Sequence, residues 1–574
     1  MNTAHPAMNS VLFLVLRRMR LPLILLVVSY AVSILGMSLM PGVDAQGRPS
    51  AGMSLFHAFY FVSYTATTIG FGELPTAFSE AQRAWATLTI YLTVLVWLYS
   101  IGTILTLLQD AAFRRVLEAA SFQRQVRRLR QPFYILCGCG ETGSLLLQSL
   151  DLRNQQAVVL DMDGERISEL ELGQYRLQIP ALAADVRVPA NLEMAGLGHP
   201  ACAGVVALTN DDRANLSVAV TTKLLRPELP VLARADQLDT AENMASFGTN
   251  QIVNGFELFG ELLGNALHNP GQYLLYDWLT DLPGTPLVEP LRPPRGKWVI
   301  CGYGRFGRAV VRNLRREQVD VVVIDTDALR GDCDECIRGD AAETDVQLEA
   351  GVKGAAAIVA GTDDDVSNLS IVMTARKLNP GLFVVVRQNR HDNATLFQRF
   401  NAHITMQPAG IVGHEFLSLL TTPLLSRFFA VSRTQPEAWA NELIARILAL
   451  VTDTVPEVWD VHIADTDASA VTQALKDNGS VLLGDLLRDP SDRDAQLPCI
   501  ALLIERPEAL LPDLDTPVFP GDRYLFCGAP GIRHRQALAL RNAEVLDYLT
   551  SGVERYTRWP WRGKGGNATS RQVA

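Results

Sequence analysis

The sequence predicts an α-helical membrane module with two spans, followed by two α/β domains and a smaller α+β lobe. Three observations carry this reading. Two long runs near the N-terminus contain no charged residue. Two later segments each lead from a buried-strand pattern into G-x-G-x-x-G. The residues downstream of those two segments repeat one another at a fixed offset. At 574 residues the chain is too long for one core, so several modules are expected.

The first apolar run, Leu21 to Met40, is 20 residues long, which as helix is about 30 Å, the thickness of a hydrocarbon core. The second is Ala84 to Leu108. Arg17, Arg18 and Arg20 precede the first, and Arg114, Arg115, Arg124, Arg127, Arg128 and Arg130 follow the second. Residues 41–83 between the runs hold only Arg48 and Arg83 as basic groups. The excess of arginine outside the pair predicts cytoplasmic N- and C-termini and an external 41–83 segment, in a cell inner membrane. A second span argues against a cleaved signal peptide. The net charge of −10 argues against general nucleic-acid binding. Several of the eight cysteines sit in apolar strand-like runs, so reduced cytosolic domains without a disulfide framework are expected.

Between the spans, "LFHAFYFVSYTA" from Leu55 to Ala66 can form a helix of only about 18 Å, a re-entrant half-helix. "TATTIGFGELP" follows it. Non-helical backbone at membrane depth persists where it is buried or lines a water-filled path. Gly70 and Gly72 permit positive φ, so successive carbonyls can point one way. Thr68, Ile69, Gly70, Phe71 and Gly72 are the candidate ion-coordinating stretch, through carbonyls and the Thr68 hydroxyl, with Ile69 and Phe71 pointing outward.

This arrangement of helix, half-helix, glycine-rich loop and helix resembles the pore of bacterial two-transmembrane potassium channels. The resemblance covers residues 20–110. It implies K+ as the transported ion, coordinated at Thr68, Ile69, Gly70 and Phe71, a homotetramer in membrane lipid, and a pore-lining second span. Three residues depart from the family pattern: Ile69 for Val, Phe71 for Tyr and Glu73 for Asp. The position of the family's hinge glycine is Leu92 here, and the span's one glycine is Gly102. Val94, Trp97, Leu98 and Ile101 are candidates for a constriction.

The cytosolic region opens with "FYILCGCGETG" and, later, "WVICGYGRFG". In each, the first glycine is followed 23 residues later by an acid that ends a second apolar strand: Gly138 by Asp161, Gly302 by Asp325. This is a dinucleotide fingerprint, Rossmann-like in kind. Glycines let backbone approach a pyrophosphate, a helix N-terminus favours its charge, and the acid takes ribose hydroxyls. Asp185 answers Asp340, and Thr209, Asn215 and Arg234 answer Thr362, Asn368 and Arg387 at an offset of 153. Each repeat runs into an amphipathic segment, from Phe256 and from Gly413.

Both repeats resemble RCK domains, the regulators of potassium conductance, related to the NAD-binding subunits of Trk and Ktr uptake systems. The expected organisation is a cytosolic N-terminus (1–20), outer span (21–40), external loop, half-helix and filter (41–83), inner span (84–108), linker (109–131), first repeat (132–285), proline-rich linker (286–296), second repeat (297–431), C-terminal lobe (440–530), and a final helix and tail (531–574). Only the second repeat continues into such a lobe. Four chains with two repeats each would make a ring of eight. The candidate nucleotide-binding residues are Gly138, Gly140, Gly143, Asp161 and Asp185 in the first repeat, and Gly302, Gly304, Arg305, Gly307, Asp325, Asp340 and Thr362 in the second. The aspartates favour NAD(H) or an adenine nucleotide over NADP. Arg305 and Arg308 flank the phosphate position of the second repeat, where the first has Glu141, so the second is expected to bind more tightly. Asp325 to Asp340 is nine residues shorter than Asp161 to Asp185, which predicts a shortened or missing helix. The acidic run Asp332-Cys333-Asp334-Glu335-Cys336 reads as a solvated loop, with a divalent ion such as Ca2+ or C-x-x-C redox chemistry as alternatives.

The function these features predict is a ligand-gated potassium channel. A non-selective cation channel with the same gating ring is the first alternative. A membrane-anchored NAD-dependent oxidoreductase is the second, with no His/Lys/Tyr constellation to support it, so no catalytic residue is expected.

Overall fold

The computed structural model describes residues 6–43, 48–72, 77–281, 283–287, 291–327, 336–477 and 479–552. The chain forms two compact units that divide near Arg130.

In the first unit, α1 (Pro6–Leu39) and α3 (Glu80–Gln109) are each long and apolar enough to cross a membrane, over residues 17–39 and 80–109. Both extend past the charge-free runs, since charged residues are good helix formers outside the hydrocarbon. Ser79 and Gln82 form a capping box that starts α3. The Trp85 indole N–H donates to Ser33 O at 3.1 Å. It lies so close to Gly36 that a Cβ there would overlap the ring, so Gly36 sets the approach of α1 and α3. α3 runs unbroken through Gly102. The half-helix α2 (Leu55–Ala66) begins where the Ser54 hydroxyl accepts from His57 N, and Phe61 and Tyr64 anchor it in a small core with Met37, Met53 and Ala86. The expected linker is helical: α4 (Ala111–Arg128) is capped by Asp110, which also pairs with Arg18 at 2.8 Å.

The second unit contains two six-stranded parallel sheets. The first repeat supplies β1 (Phe133–Cys137), β2 (Gln156–Asp161), β3 (Ala181–Ala183), β4 (Cys202–Ala207), β5 (Val231–Arg234) and β6 (Gln251–Val253), in spatial order β3-β2-β1-β4-β5-β6. The second supplies β7 (Lys297–Cys301), β8 (Asp320–Asp325), β9 (Cys336–Arg338), β10 (Ala357–Ala360), β11 (Phe383–Arg387) and β12 (Ile404–Met406), in order β9-β8-β7-β10-β11-β12. Both are Rossmann-like, with the strand order reversing beside the glycine loops. Helix α5 (Glu141–Leu152) follows β1 and α6 (Gly164–Leu172) follows β2. No helix counterpart of α6 is present among the described residues of the second repeat. Asp332, Cys333, Asp334 and Glu335 lie outside those residues.

The two repeats exchange helices. The first ends in α7 (Asp212–Leu225), α8 (Leu238–Ser246), α9 (Gly255–His268) and α10 (Pro270–Thr280). The second carries α11 (Arg305–Arg316), α12 (Asp365–Leu378), α13 (Ala394–Phe400), α14 (Pro408–Thr421) and α15 (Pro423–Ser432). Phe256, Phe259, Leu263 and Leu267 of α9 sit in the core of the second repeat, with Trp298, Ile300 and Phe306. Val412, Phe416 and Leu417 of α14 sit in the core of the first, with Leu136, Leu146 and Leu147. The amphipathic segment that ends each repeat thus buries its apolar stripe on the other repeat's first helix. Beyond α16 (Glu437–Val451), a four-stranded antiparallel sheet is built from 457–462, 499–504, 509–510 and 523–528.

Candidate functional sites

The loop after α2 has an alternating backbone. Thr68, Gly70 and Gly72 have φ of 61°, 63° and 71°. Ile69 and Gly70 donate their N–H groups to Tyr64 O, at 3.0 and 3.2 Å, which ties the loop to the end of the half-helix. Glycine pays nothing for that φ, whereas Thr68 does. Ile69 and Phe71 are exposed, and a Cβ on Gly70 would meet nothing within 4 Å. The requirement for glycine at that position is therefore conformational and not one of space. Glu73 lies outside the described residues.

The two nucleotide-type loops share one construction. Gly138 and Gly302 have φ of 105° and 97°. A Cβ on Gly143 would sit 2.2 Å from Gly138 O, and one on Gly307 1.9 Å from Gly302 O. The third glycine therefore lets the helix start lie on the loop. Asp161 accepts from Cys139 N at 2.5 Å, and Asp325 accepts from Tyr303 N at 2.5 Å. Asn215 joins Thr209 to Arg234 O, and Asn368 joins Thr362 to Arg387 O, each through amide contacts of 2.7–3.0 Å. The residues that mark the repeat in sequence are thus the ones that tie two strand ends together beside the cleft.

In the first repeat, Gly138, Gly140, Asp161, Asp185 and Thr209 line a cavity of 340 Å³. Two arginines not singled out in the sequence stand there. Arg166, in the first turn of α6, reaches Asp161 at 3.7 Å and Asp163 at 3.4 Å. Arg187 donates to Asp185 through Nε and Nη2, and these hydrogen bonds hold that carboxyl below its ordinary range. The clue was an arginine just after each acid, off the glycine loop. In the second repeat, Gly302, Gly304, Asp325 and Thr362 line 250 Å³ with Asp327, Cys336 and Asp363.

Arg305 and Asp340, both expected at that cleft, are not on its walls. Arg305 is drawn across to the first repeat, where its guanidinium lies 3.5 Å from Asp236 and over the Phe256 ring. Asp340 is exposed and accepts from Ala342 N. Glu141 is likewise turned away from its own loop, accepting from His391 N of the second repeat at 2.8 Å. The cause is the helix exchange, which brings each repeat's loop edge to the other's fifth-strand turn. Six described cysteines are free, as expected of domains without a disulfide framework, while Cys336, in the C-x-x-C for which redox chemistry was an alternative, is disulfide-bonded. Among the described residues no group of three or more His, Cys, Asp or Glu is placed to hold a metal ion.

A further cavity, of 680 Å³, lies between α9, α10, α14 and α15, away from both loops. On its wall Tyr276 donates to Glu415 at 3.0 Å, and burial raises that carboxyl above its ordinary range.

These features define a module of two long apolar helices with a glycine-rich loop between them, followed in the chain by two Rossmann-like domains. Comparison with known proteins agrees: the ion-channel family profile matches residues 23–110, and the TrkA-N domain profile matches 134–255 and 298–408. Potassium channel protein 1 of Methanocaldococcus jannaschii is 23% identical over 222 residues, 38% of this chain and 64% of that protein. The voltage-gated potassium channel Kch of Escherichia coli is 25% identical over 241 residues, 39% of this chain and 55% of that protein. The chain thus spans less than two thirds of these relatives' length. A solved structure of the GsuK channel bound to NAD is 17% identical, covering 93% of this chain and 99% of that one, at a TM-score of 0.45. The chain is thus similar to ion-channel proteins in its N-terminal module and to TrkA-N domains in both repeats.

Proposed function

We propose that the protein is a potassium channel whose pore is opened or closed by nucleotide binding to the TrkA-N domains. The observation that carries this is the alternation of positive φ at Thr68, Gly70 and Gly72, between a half-helix and a helix of membrane length. Carbonyls presented in one direction can replace the water of a dehydrating cation. One chain supplies one wall of such a path, so four chains surround it, with termini in the cytoplasm. Ile69 and Phe71, exposed in the single chain, then face the surrounding subunits. Exposed Leu224 and Phe247 in the first repeat, and Val366, Met373 and Leu396 in the second, support a ring of eight such domains. The clefts of 340 and 250 Å³ suit part of an NAD or adenine nucleotide.

The experiment is current recording from the purified chain in planar bilayers, with NAD, NADH, ADP and ATP added on the cytoplasmic side. A potassium-selective current is expected, with open probability changing about 5- to 150-fold for a coupling of about 1–3 kcal/mol. Gly70→Ala should abolish it. Potassium current that persists in Gly70→Ala removes the filter assignment, and a sodium–potassium reversal potential near zero favours a non-selective pore.

A further inference from the structure

Helix α11 carries five arginines in 12 residues: Arg305, Arg308, Arg312, Arg315 and Arg316. At 100° per residue all five fall within an arc of about 100°, along about 16 Å of helix. The opposite face, with Phe306, Ala309, Val310 and Leu314, is buried. Four pairs of these arginines are three or four residues apart, and each such like-charge pair disfavours the helix by about 0.2–0.5 kcal/mol. Arg305 and Arg308 also lie at the helix N-terminus, where the backbone dipole opposes cations. The chain as a whole is acidic, at −10, so this stripe does not follow from composition.

The first repeat neutralises part of the stripe. Asp236 takes Arg305, and Glu257 takes Arg312 at 2.7 Å. Arg316 makes no ion pair among the described residues and donates to the neutral Asn313 amide oxygen, at 3.3 Å. Arg308 and Arg315 make no ion pair among the described residues. These two, with Arg312, Arg316, Tyr303 and Val311, line an open groove of 470 Å³. Its walls share only Tyr303 with the 250 Å³ cleft beside the glycine loop.

We propose that this groove is a binding site for a soluble anion carrying several phosphate groups, separate from both nucleotide clefts. Guanidinium groups at successive turns present forked donors that match phosphate oxygens two at a time. A ligand with linked phosphates spans several of them at once and removes the repulsion along the stripe. It also competes with Glu257 for Arg312. The site thereby acts on the contact between α11 and the exchanged helix α9, and so on the joint between the repeats.

The test is calorimetric titration of the full-length protein with sodium tripolyphosphate, in nanodiscs of phosphatidylcholine and, separately, of phosphatidylglycerol. Saturable binding that weakens as salt rises is expected in both, with equal affinity. The double variant Arg308→Gln, Arg315→Gln should bind at least tenfold more weakly. Arg308→Lys, Arg315→Lys should fall between it and the wild type, because the charge remains and the fork is lost. Single Arg315→Gln, at an exposed position, gives the same direction if the double variant fails to fold. Asp325→Ala should bind as the wild type does. No saturable binding, or a double variant indistinguishable from wild type, overturns the site. Loss of binding in Asp325→Ala or under saturating ADP places the anion in the nucleotide cleft instead. Weaker binding in phosphatidylglycerol discs overturns the soluble ligand and assigns the groove to a lipid headgroup.

Discussion

The Arg305 guanidinium lies 3.5 Å from the Asp236 carboxylate, which belongs to the other repeat. Asp236 is almost fully buried and is already gripped by Arg234 through two bonds of 3.0 Å. A residue of the second glycine-loop motif therefore contributes to the joint between the repeats. Arg305→Ala should lower the unfolding free energy, and a double-mutant cycle with Asp236→Ala should give a coupling of about 0.5–1 kcal/mol, kept small because half of the arginine side chain is in solvent. Chemical denaturation of the four proteins measures it. A coupling of zero would mean that the contact contributes nothing.

Gly260 decides how closely α9 approaches α11. A Cβ there would sit 2.7 Å from Asn313 Nδ2 and 2.8 Å from Ala309 O, the second a backbone atom that cannot swing aside. Gly260→Ala should destabilise the second unit by about 1–3 kcal/mol. One turn on, a Cβ at Gly264 would have its nearest neighbour at 3.7 Å, an ordinary contact. Gly264→Ala should be neutral or stabilising, since alanine is the better helix former by about 1 kcal/mol. Thermal unfolding of both variants, compared with wild type, tests the contrast.

The same glycines show what the sequence conveyed and where it stopped. Runs of apolar residues placed the two long helices and the half-helix, because a helix long enough for membrane depth is a property of a single segment. The two sheets followed from the fingerprint and the repeated acids, which constrain backbone within each repeat. The exchange of α9 and α14 did not follow. An amphipathic stripe states that a face must be buried but not against which partner. That one omission explains the misplacement of Arg305 and Glu141, whose partners come from the opposite repeat. Arg166 and Arg187 were missed for a different reason, since they reach the cleft from beyond the glycine loop.

Asp277 gives the second unit a pH dependence of known sign. Burial, with Asp281 one turn away as the smaller cause, raises its carboxyl from 3.8 to about 6. The titratable groups around it are Asp281, Tyr273 and Tyr276 on its own helix and His414 from α14. Between about pH 4 and 6 the folded state holds a proton that the unfolded state has lost, so this group's contribution to stability falls as pH rises through that window. Above it the buried charge costs at most about 3 kcal/mol. Asp277→Asn should therefore be more stable than wild type at pH 7, with the difference fading by pH 4. Urea unfolding at a series of pH values reads this out, and a gain that is constant with pH would assign it to packing alone.

The last prediction concerns which cleft holds phosphate, and it rests on nucleotide binding as proposed above. Glycine loops and helix starts are alike in the two repeats, so the difference must come from side chains. The first cleft has Arg166 and Arg187 on its wall, and Arg166 Nη1 would be 3.6 Å from a Cβ on Gly140, beside the loop itself. The described wall of the second cleft holds Asp325, Asp327 and Asp363, while Arg305 is engaged at Asp236. A hydrogen bond from a charged donor contributes about 1.5–3 kcal/mol, so Arg166→Ala should weaken NAD or ADP binding about 10- to 100-fold. Arg305→Ala should change it less than about threefold, below the effect of one such bond. Calorimetry on the full-length protein with each nucleotide distinguishes the cases. If Arg305→Ala abolishes binding and Arg166→Ala does not, the second repeat is the working site and the contact with Asp236 breaks when ligand enters. If wild type takes up neither nucleotide, the proposal of nucleotide gating fails before the choice of cleft arises.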